Sequence, residues 1–348
     1  MEKVGITMEK VWRYIESLQQ QHPFAKTIHV YGWEEQFETE LVSSVIPYLF
    51  EPLDIQEHLA PITNQNRDGR IKPKHYIVIH DTGDTAAHRN ARFWNQVVWT
   101  EQNEGKPYGA SFQYVVGNDG IYHNIPDDEI AYHAGDSTQY DYTLYDTGVV
   151  GETLPHITIQ DGIYAINGIG TTIQAPLGGT TENINDLGIL CQSIQGKYYI
   201  GETYYNETYH RVANRGGNNN GIGIEMCVCQ QTDIYYTFQL AAKLVAYLMD
   251  HYHLTLENIK QHHYFSGKDC PETLRKNHLW NHFLNLVAVE SHMLGFTQEG
   301  YEITCIPLSS HILPNGRITQ KERGAYQICI QKGTKRECRT FYTTVISQ

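Results

Sequence analysis

The sequence predicts an α/β protein, a central sheet domain flanked by helices, with a small β-rich module at its C-terminus. Three observations predict this. Apolar runs of strand length, HYIVIH and GIGIEMCV, alternate with stretches of helical periodicity through the middle of the chain. The 348 residues suffice to bury a large core, as one sizeable domain with appendages or as two. The tail from about residue 297 reads as strands joined by Asn-Gly and Gly-Thr turns.

Residues 1–66 form an N-terminal segment of partly helical character. In MEKVGITMEKVWRYIESLQQQ, Val11, Tyr14, Ile15 and Leu18 follow helical spacing with charges between them, a pattern unlike a signal peptide. The segment ends in the polar stretch ITNQNRDGR. HYIVIH (75–80) is then a buried strand, stopped by the turn signal DTGD. A helix follows through TAAHRNARFWNQVVW, and SFQYVVGNDGIYHNI is a hairpin about GNDG.

Residues 137–214 differ in texture, being rich in Gly, Thr, Asn and Tyr. The pieces ITIQDGIYAI and GKYYIGETYY are too apolar for a free linker, so this is an insertion with its own strands. Beyond it come the strand GIGIEMCV and an amphipathic helix, TDIYYTFQLAAKLVAYLMDHYH, with Phe238, Ala241, Val245 and Leu248 on one stripe. A polar loop and a helix near LWNHFLNLVAVESHM complete a domain over 67–292, and residues 297–348 form the C-terminal module.

Composition removes several function classes. A net charge of -13 argues against a nucleic-acid binder, which needs a basic face to displace counterions. The longest apolar stretch, VSSVIPYLFEPL, is short and broken by prolines, so no membrane span is expected. Seven scattered cysteines make no disulfide scaffold. Cys227 and Cys229 flank one valine in a strand and read as small buried residues. In the tail, a two-residue turn at Gly333-Thr334 sets Cys329 directly opposite Cys338, close enough for a disulfide.

The chemistry gathers in three places. QHHYFSGKDCPE (261–272) puts adjacent histidines ahead of Cys270, and either His262 or His263 could ligate a metal with it. His80 ends a strand, where a side chain points into the cleft above a sheet edge. Glu225 lies inside GIGIEMCV: if Ile222, Ile224 and Met226 face the core, it faces the other side, between Gly223 and Cys227. A carboxylate in an apolar strand is costly without a partner or a task.

Taken in order, IKPKHYIVIHDTGD, SFQYVVGNDGIYHNIPDDEIAYHAGD, NNNGIGIEMCV and QHHYFSGKDCPE resemble the zinc-dependent N-acetylmuramoyl-L-alanine amidases. This family includes phage lysozyme-amidases, bacterial autolysins and animal peptidoglycan recognition proteins. The resemblance covers about residues 67–292, interrupted from 137 to 214, and implies a mixed central sheet flanked by helices. It implies zinc held by His80, His262 and Cys270, which selects His262 over His263. Glu225 is then the general base, Lys268 helps to stabilise the oxyanion, and His133, Phe112 and Asn220 line the substrate groove. Phe112 stands where some relatives carry a catalytic tyrosine, and Gln113 where many carry histidine, which shifts proton handling to Glu225.

The resemblance implies cleavage of the amide between N-acetylmuramic acid and L-alanine of peptidoglycan. The rivals are a non-catalytic peptidoglycan-binding module and a zinc peptidase acting on another cell-wall amide. Synthesis in the cytoplasm and action on the wall after release, as for an endolysin, is expected. Secretion with a leader absent from this chain is the alternative. The tail's basic residues, among them Lys335, Arg336 and Arg339, fit a wall-binding module for anionic polymers and equally a solvated edge hairpin protected from aggregation. The insertion should emerge at the groove rim. Its nine tyrosines, including Tyr140, Tyr142, Tyr145, Tyr204, Tyr205 and Tyr209, suit sugar and peptide contact, and a purely structural minidomain fits them as well. Nothing in the sequence speaks to oligomeric state.

Overall fold

The Gly221–Met226 strand runs through the interior of a six-stranded sheet. It pairs in parallel with Tyr76–Asp81 on one side and Tyr114–Gly117 on the other. Ile259–Gln261 forms one edge, parallel to Tyr76–Asp81. Gly120–His123 returns antiparallel to Tyr114–Gly117, and Ile55–Glu57 adds the other edge in parallel. The sheet is therefore mixed. This computed structural model describes residues 5–22, 24–25, 27–31, 38–100, 110–135, 144–151, 155–182, 184, 189, 191–201, 216–266 and 268–345.

Alternation along the strands sorts the two faces of the sheet. Ile77, Ile79, Ile222, Ile224, Met226 and Val116 are buried in one cluster with Phe238, Ala241, Val245 and Leu248. The stripe read from the sequence is thus the face by which helix Ile234–Tyr252 covers the sheet. Each such side chain contributes about 1.5–3 kcal/mol by leaving water. The Asp233 side chain caps this helix by accepting from Tyr236 N, and His253 ends it in the left-handed region at φ 53°. Val78, His80, Gly223 and Glu225 occupy the opposite face by the same alternation.

Helix Trp280–Gln298 joins two cores. Phe283, Leu286 and Val287 pack into the sheet cluster. Val289, Met293 and Phe296 instead meet helix Met8–Gln21, through Val11, Trp12 and Ile15, and the C-terminal sheet, through Tyr326 and Ile328. Beyond that first helix the described residues before 66 are strands and irregular chain, and Ile55–Glu57 belongs to the central sheet. The pairing of Ile55–Glu57 with a distant hairpin leaves no local signature in the sequence. Glu290 accepts from Leu49 N at 2.8 Å and pairs with Lys243 at 2.8 Å, tying the N-terminal chain to both long helices.

The C-terminal module is an antiparallel sheet of Glu302–Pro307, Ala325–Lys332 and Lys335–Tyr342. Cys329 faces Cys338 and the two form a disulfide. The module's basic edge is partly neutralised within the protein. Arg339 is bound by Glu16 and lies over the Trp12 ring, and Lys335 pairs with Glu337.

The insertion folds into two three-stranded sheets. One holds Ile157–Gln160, Ile163–Ile166 and Ile169–Gln174, the other Tyr145–Val150, Cys191–Ile194 and Lys197–Ile200. Their hairpins turn at Asp161-Gly162, Asn167-Gly168 and Gln195-Gly196, all six residues at positive φ. That is the two-residue turn whose twist matches paired strands. Val149, Ile157, Tyr164, Ile166, Tyr198 and Ile200 make the insertion's own core. Tyr164 and Tyr198 therefore fill structure, and Tyr145 is exposed. Tyr140, Tyr142, Tyr204, Tyr205 and Tyr209 lie outside the described residues. Among the described residues no helix is long and apolar enough to cross a membrane.

Candidate metal centre

His80 and Glu225 are register partners on adjacent parallel strands, so both side chains rise from the sheet face that the long helices leave free. The glycines of GIGIE keep that face low. A Cβ on Gly223 would stand 2.7 Å from the His133 ring, so His133 occupies the space that the missing side chain leaves. Ile222 and Ile224 meanwhile fill the core behind. The pattern Gly-Ile-Gly-Ile-Glu thus builds a wall on one side and a shelf on the other.

The loop after Ile259–Gln261 supplies the remaining donors. His262 N donates to Ile79 O at 3.2 Å, which seats His262 beside the His80 strand. His263 N donates to Cys270 O at 3.0 Å, closing the loop on itself. The donor atoms of His80, His262 and Cys270 all lie within 4.8 Å of one another, and all three residues are buried. Cys270 Sγ is 3.7 Å from His80 Nδ1, close to the separation of about 3.3–3.7 Å between ligand atoms of a tetrahedral zinc site. Glu225 Oε1 is 3.8 Å from the same His80 nitrogen. The other nitrogen of that ring, Nε2, is 3.0 Å from His133 Nδ1.

The electrostatics fit a bound cation. Burial holds both ligand imidazoles in the neutral, ligating form: His80 is well below its ordinary value, and His262 is lowered to about 3, with Lys268 adding to the effect. Burial, with Glu225 and Asp81 nearby, pushes the Cys270 thiol well up, a penalty that a dication reverses. Burial raises Glu225 to about 8, against the pull of Lys268, and a dication held beside it would bring it back to the ionised form that a base needs. His262 Nδ1 and Glu225 Oε2 are buried without a hydrogen-bond partner among the described residues. Two imidazoles and a thiol, three donors gathered within 4.8 Å of one another, suit zinc with a fourth position left for water.

The other expected site residues divide. Lys268 stands on the same loop and is exposed. His133 is buried with its ring edge-on to that of His80. Phe112, at 5% exposure, packs with Val115, Ile125, Ala131 and Cys227. Asn220 Nδ2 donates to Gly216 O. It is Asn218, two residues earlier, whose Oδ1 accepts from His133 N and Ala134 N at 2.8 and 2.7 Å. Gln113 is also structural. It accepts from Gly223 N at 2.7 Å and donates to Glu129 O at 3.0 Å, extending the sheet where the backbone ladder lapses. Asp81, which follows a ligand directly, accepts from Thr273 N at 2.6 Å. A polar residue at the end of an apolar strand was the one available signal for Gln113 and Asp81.

A cavity of about 380 Å³ lies elsewhere, lined in part by Tyr48, Phe50, Tyr247 and Tyr301. It shares no residue with the metal cluster, and its Lys243 and Glu290 satisfy each other.

Comparison with known proteins agrees with this chemistry. Residues 70–273, more than half of the chain, match the family described as N-acetylmuramoyl-L-alanine amidase. The N-acetylmuramoyl-L-alanine amidase CwlH of Bacillus subtilis (strain 168) is 22% identical over 234 residues, covering 67% of this chain and 61% of CwlH. The chain thus spans about three-fifths of the length of that curated relative. Among solved structures, the catalytic domain of XlyA aligns at 20% identity and a TM-score of 0.42, covering 68% of this chain and 99% of that one. Staphylococcus aureus hydrolase AmiA, solved in complex with its ligand, aligns at 13% identity and 0.38, covering 71% and 87%.

Proposed function

The chain belongs to the N-acetylmuramoyl-L-alanine amidase family, and on that premise we propose that it hydrolyses the bond between N-acetylmuramic acid and L-alanine in peptidoglycan. The observation that carries this reading is the buried His80, His262 and Cys270 set with Glu225 in register beside it. These three residues would hold the zinc. Zinc bound there supplies Lewis-acid chemistry, polarising the scissile carbonyl and making water nucleophilic near neutral pH.

The chain's own groups handle the protons and charge. Glu225 accepts the proton of the attacking water at its unpartnered oxygen and passes it to the departing nitrogen of L-alanine. Lys268, exposed on the ligand loop, balances the negative charge that develops on the carbonyl oxygen. His133 holds the far nitrogen of His80 and so fixes the ring that faces the reaction. The domain over 67–292 carries this chemistry, with 1–66 and 297–348 bracing it through the shared helix Trp280–Gln298. We assign the site of action to a bacterial wall.

Muropeptide digestion followed by mass spectrometry tests the assignment. The expected products are glycan with a free muramic lactyl carboxyl and peptides beginning with L-alanine. Products cut within the stem or cross-link would make the enzyme a peptidase. Binding without any product would make it a recognition module.

A further inference from the structure

The residue next to each of the three ligands is held by one short helix, Glu272–Lys276. Asp81 follows His80, and its carboxylate accepts from Thr273 N at 2.6 Å. Gln261 precedes His262, and its side-chain oxygen accepts from Arg275 Nη1 at 2.6 Å. Asp269 precedes Cys270, and its carboxylate accepts from Arg275 Nε, also at 2.6 Å. One guanidinium therefore bridges the two ends of the loop that carries His262 and Cys270.

The geometry points to Arg275 as a positioning residue that sets the separation of His262 and Cys270 before metal arrives. The argument is one of entropy and geometry. Two ligands on a flexible loop must be gathered at a cost in conformational freedom when the ion binds. A planar fork with donors on different nitrogens holds two acceptors at a defined spacing, which a lysine ammonium cannot do. Arg275 is mostly buried, its side chain 14% exposed, so water competes weakly for these bonds. The helix itself is anchored to the His80 strand through Thr273, and the clamp thereby transmits the position of the first ligand to the other two. Arg275 acts through Gln261 and Asp269, the residues beside the ligands, and its effect is on assembly of the site.

This inference rests on the reading that His80, His262 and Cys270 hold zinc, and its test reads metal affinity rather than amidase activity. The full chain, stripped of metal, is titrated with zinc alone against a chromogenic chelator. Arg275→Ala should bind zinc roughly 10- to 100-fold more weakly than the unsubstituted chain. Arg275→Lys should fall between, and Lys276→Ala, which breaks only the bond to Glu272 on the same helix, should stay within about twofold. Cobalt(II) in place of zinc adds a second readout, since the thiolate charge-transfer and ligand-field bands should weaken or shift in Arg275→Ala. If Arg275→Ala does not fold, Gln261→Ala severs one arm alone and should give a smaller loss in the same direction. Unchanged zinc affinity and cobalt spectrum in the folded variants, with only a lower apo melting temperature, would reduce Arg275 to a structural residue and overturn the proposal. Absence of zinc binding by the unsubstituted chain would overturn the metal reading and the clamp together, whereas normal metal binding with no muropeptide cleavage would overturn the substrate alone.

Discussion

Glu225 Oε1 lies 3.8 Å from His80 Nδ1, across two strands that pair residue for residue in parallel. The relationship is set by backbone hydrogen bonds rather than by a loop, so Glu225 and His80 cannot drift apart without shearing the sheet. Replacing the carboxylate therefore changes chemistry with little change of shape. Glu225→Gln should retain zinc and lose roughly a hundredfold or more in turnover, about 2.7 kcal/mol of transition-state stabilisation. Metal content and muropeptide release measured on the same preparation check it, and near-normal turnover would move the base elsewhere.

The adjacent histidines make a sharper test of the ligand set. His262 is buried with an orphaned Nδ1, whereas His263 is half-buried and fixed through its backbone to Cys270 O. His262→Ala should lose the metal, and His263→Ala should keep most metal and activity. Zinc content by atomic emission decides between them, and the reverse pattern would change the ligand.

Much of this site was legible in the chain, because zinc chemistry needs particular residue types in a particular order and strand parity fixes which face they share. His80, Glu225 and Cys270 stood out as candidates on that ground, the family resemblance chose His262 over His263, and the fold brings the four together. The turns at Asp161-Gly162 and Asn167-Gly168 were equally local, and a two-residue turn fixed the Cys329–Cys338 register. Other features depend on chain segments far apart. Ile55–Glu57 finds its sheet edge beside Gly120–His123, and Asn218 reaches back to His133 across the whole insertion. Phe112 precedes its strand, so alternation says nothing of which side it packs on, and its place in a cluster with Val115 and Cys227 comes from the fold. Gln261, Asp269 and Arg275 carry no motif of their own, and only the fold brings them together.

Buried charge outside the site should matter for stability. Glu290 is 4% exposed and satisfies both Lys243 and Leu49 N. Glu290→Ala leaves a buried ammonium without its carboxylate, with only Tyr48 against it, and a backbone donor unpaired, and should cost about 3–5 kcal/mol. Urea denaturation of the metal-loaded protein measures it, and a loss below about 1 kcal/mol would mean that Lys243 escapes to solvent.

One pH effect follows from the sheet edge. His123 sits between Glu57 at 2.8 Å and Asp127 at 3.1 Å. Burial alone would lower its pKa, and the bond and charge of Asp127, with Glu57, outweigh burial and raise it above 6.5. A raised imidazole adds stability that is fully present below 6.5 and is lost as pH rises through the folded value. His123→Phe keeps the stack on Tyr114 and removes the titration. Its melting-temperature deficit should therefore be largest below about pH 6 and shrink toward pH 8. A deficit that does not vary with pH would place the contribution of His123 in packing.

The insertion should be separable from the metal site. Its core of Val149, Ile157, Tyr164, Ile166, Tyr198 and Ile200 is its own. Its two stems already meet without it: Asn218 N donates to Ala134 O at 3.2 Å, and a Cβ on Gly217 would stand 2.6 Å from that of Ala134. Asn218 also caps His133 N, so the contact that places His133 against His80 lies on the domain side of the stems. Replacing residues 140–210 with a short Gly-Ser link should therefore leave zinc affinity within about threefold, since among the described residues no candidate ligand and no bond that holds one is removed. Long glycan strands should be bound and cut less well, because the insertion leaves the domain beside His133 and extends the surface that a polymer can touch. A minimal muramoyl-peptide, which occupies only the space near the metal, should suffer less. Equal cleavage of both substrates by the shortened chain would assign the insertion no part in recognition, and loss of zinc would mean that the stems need it to stay closed.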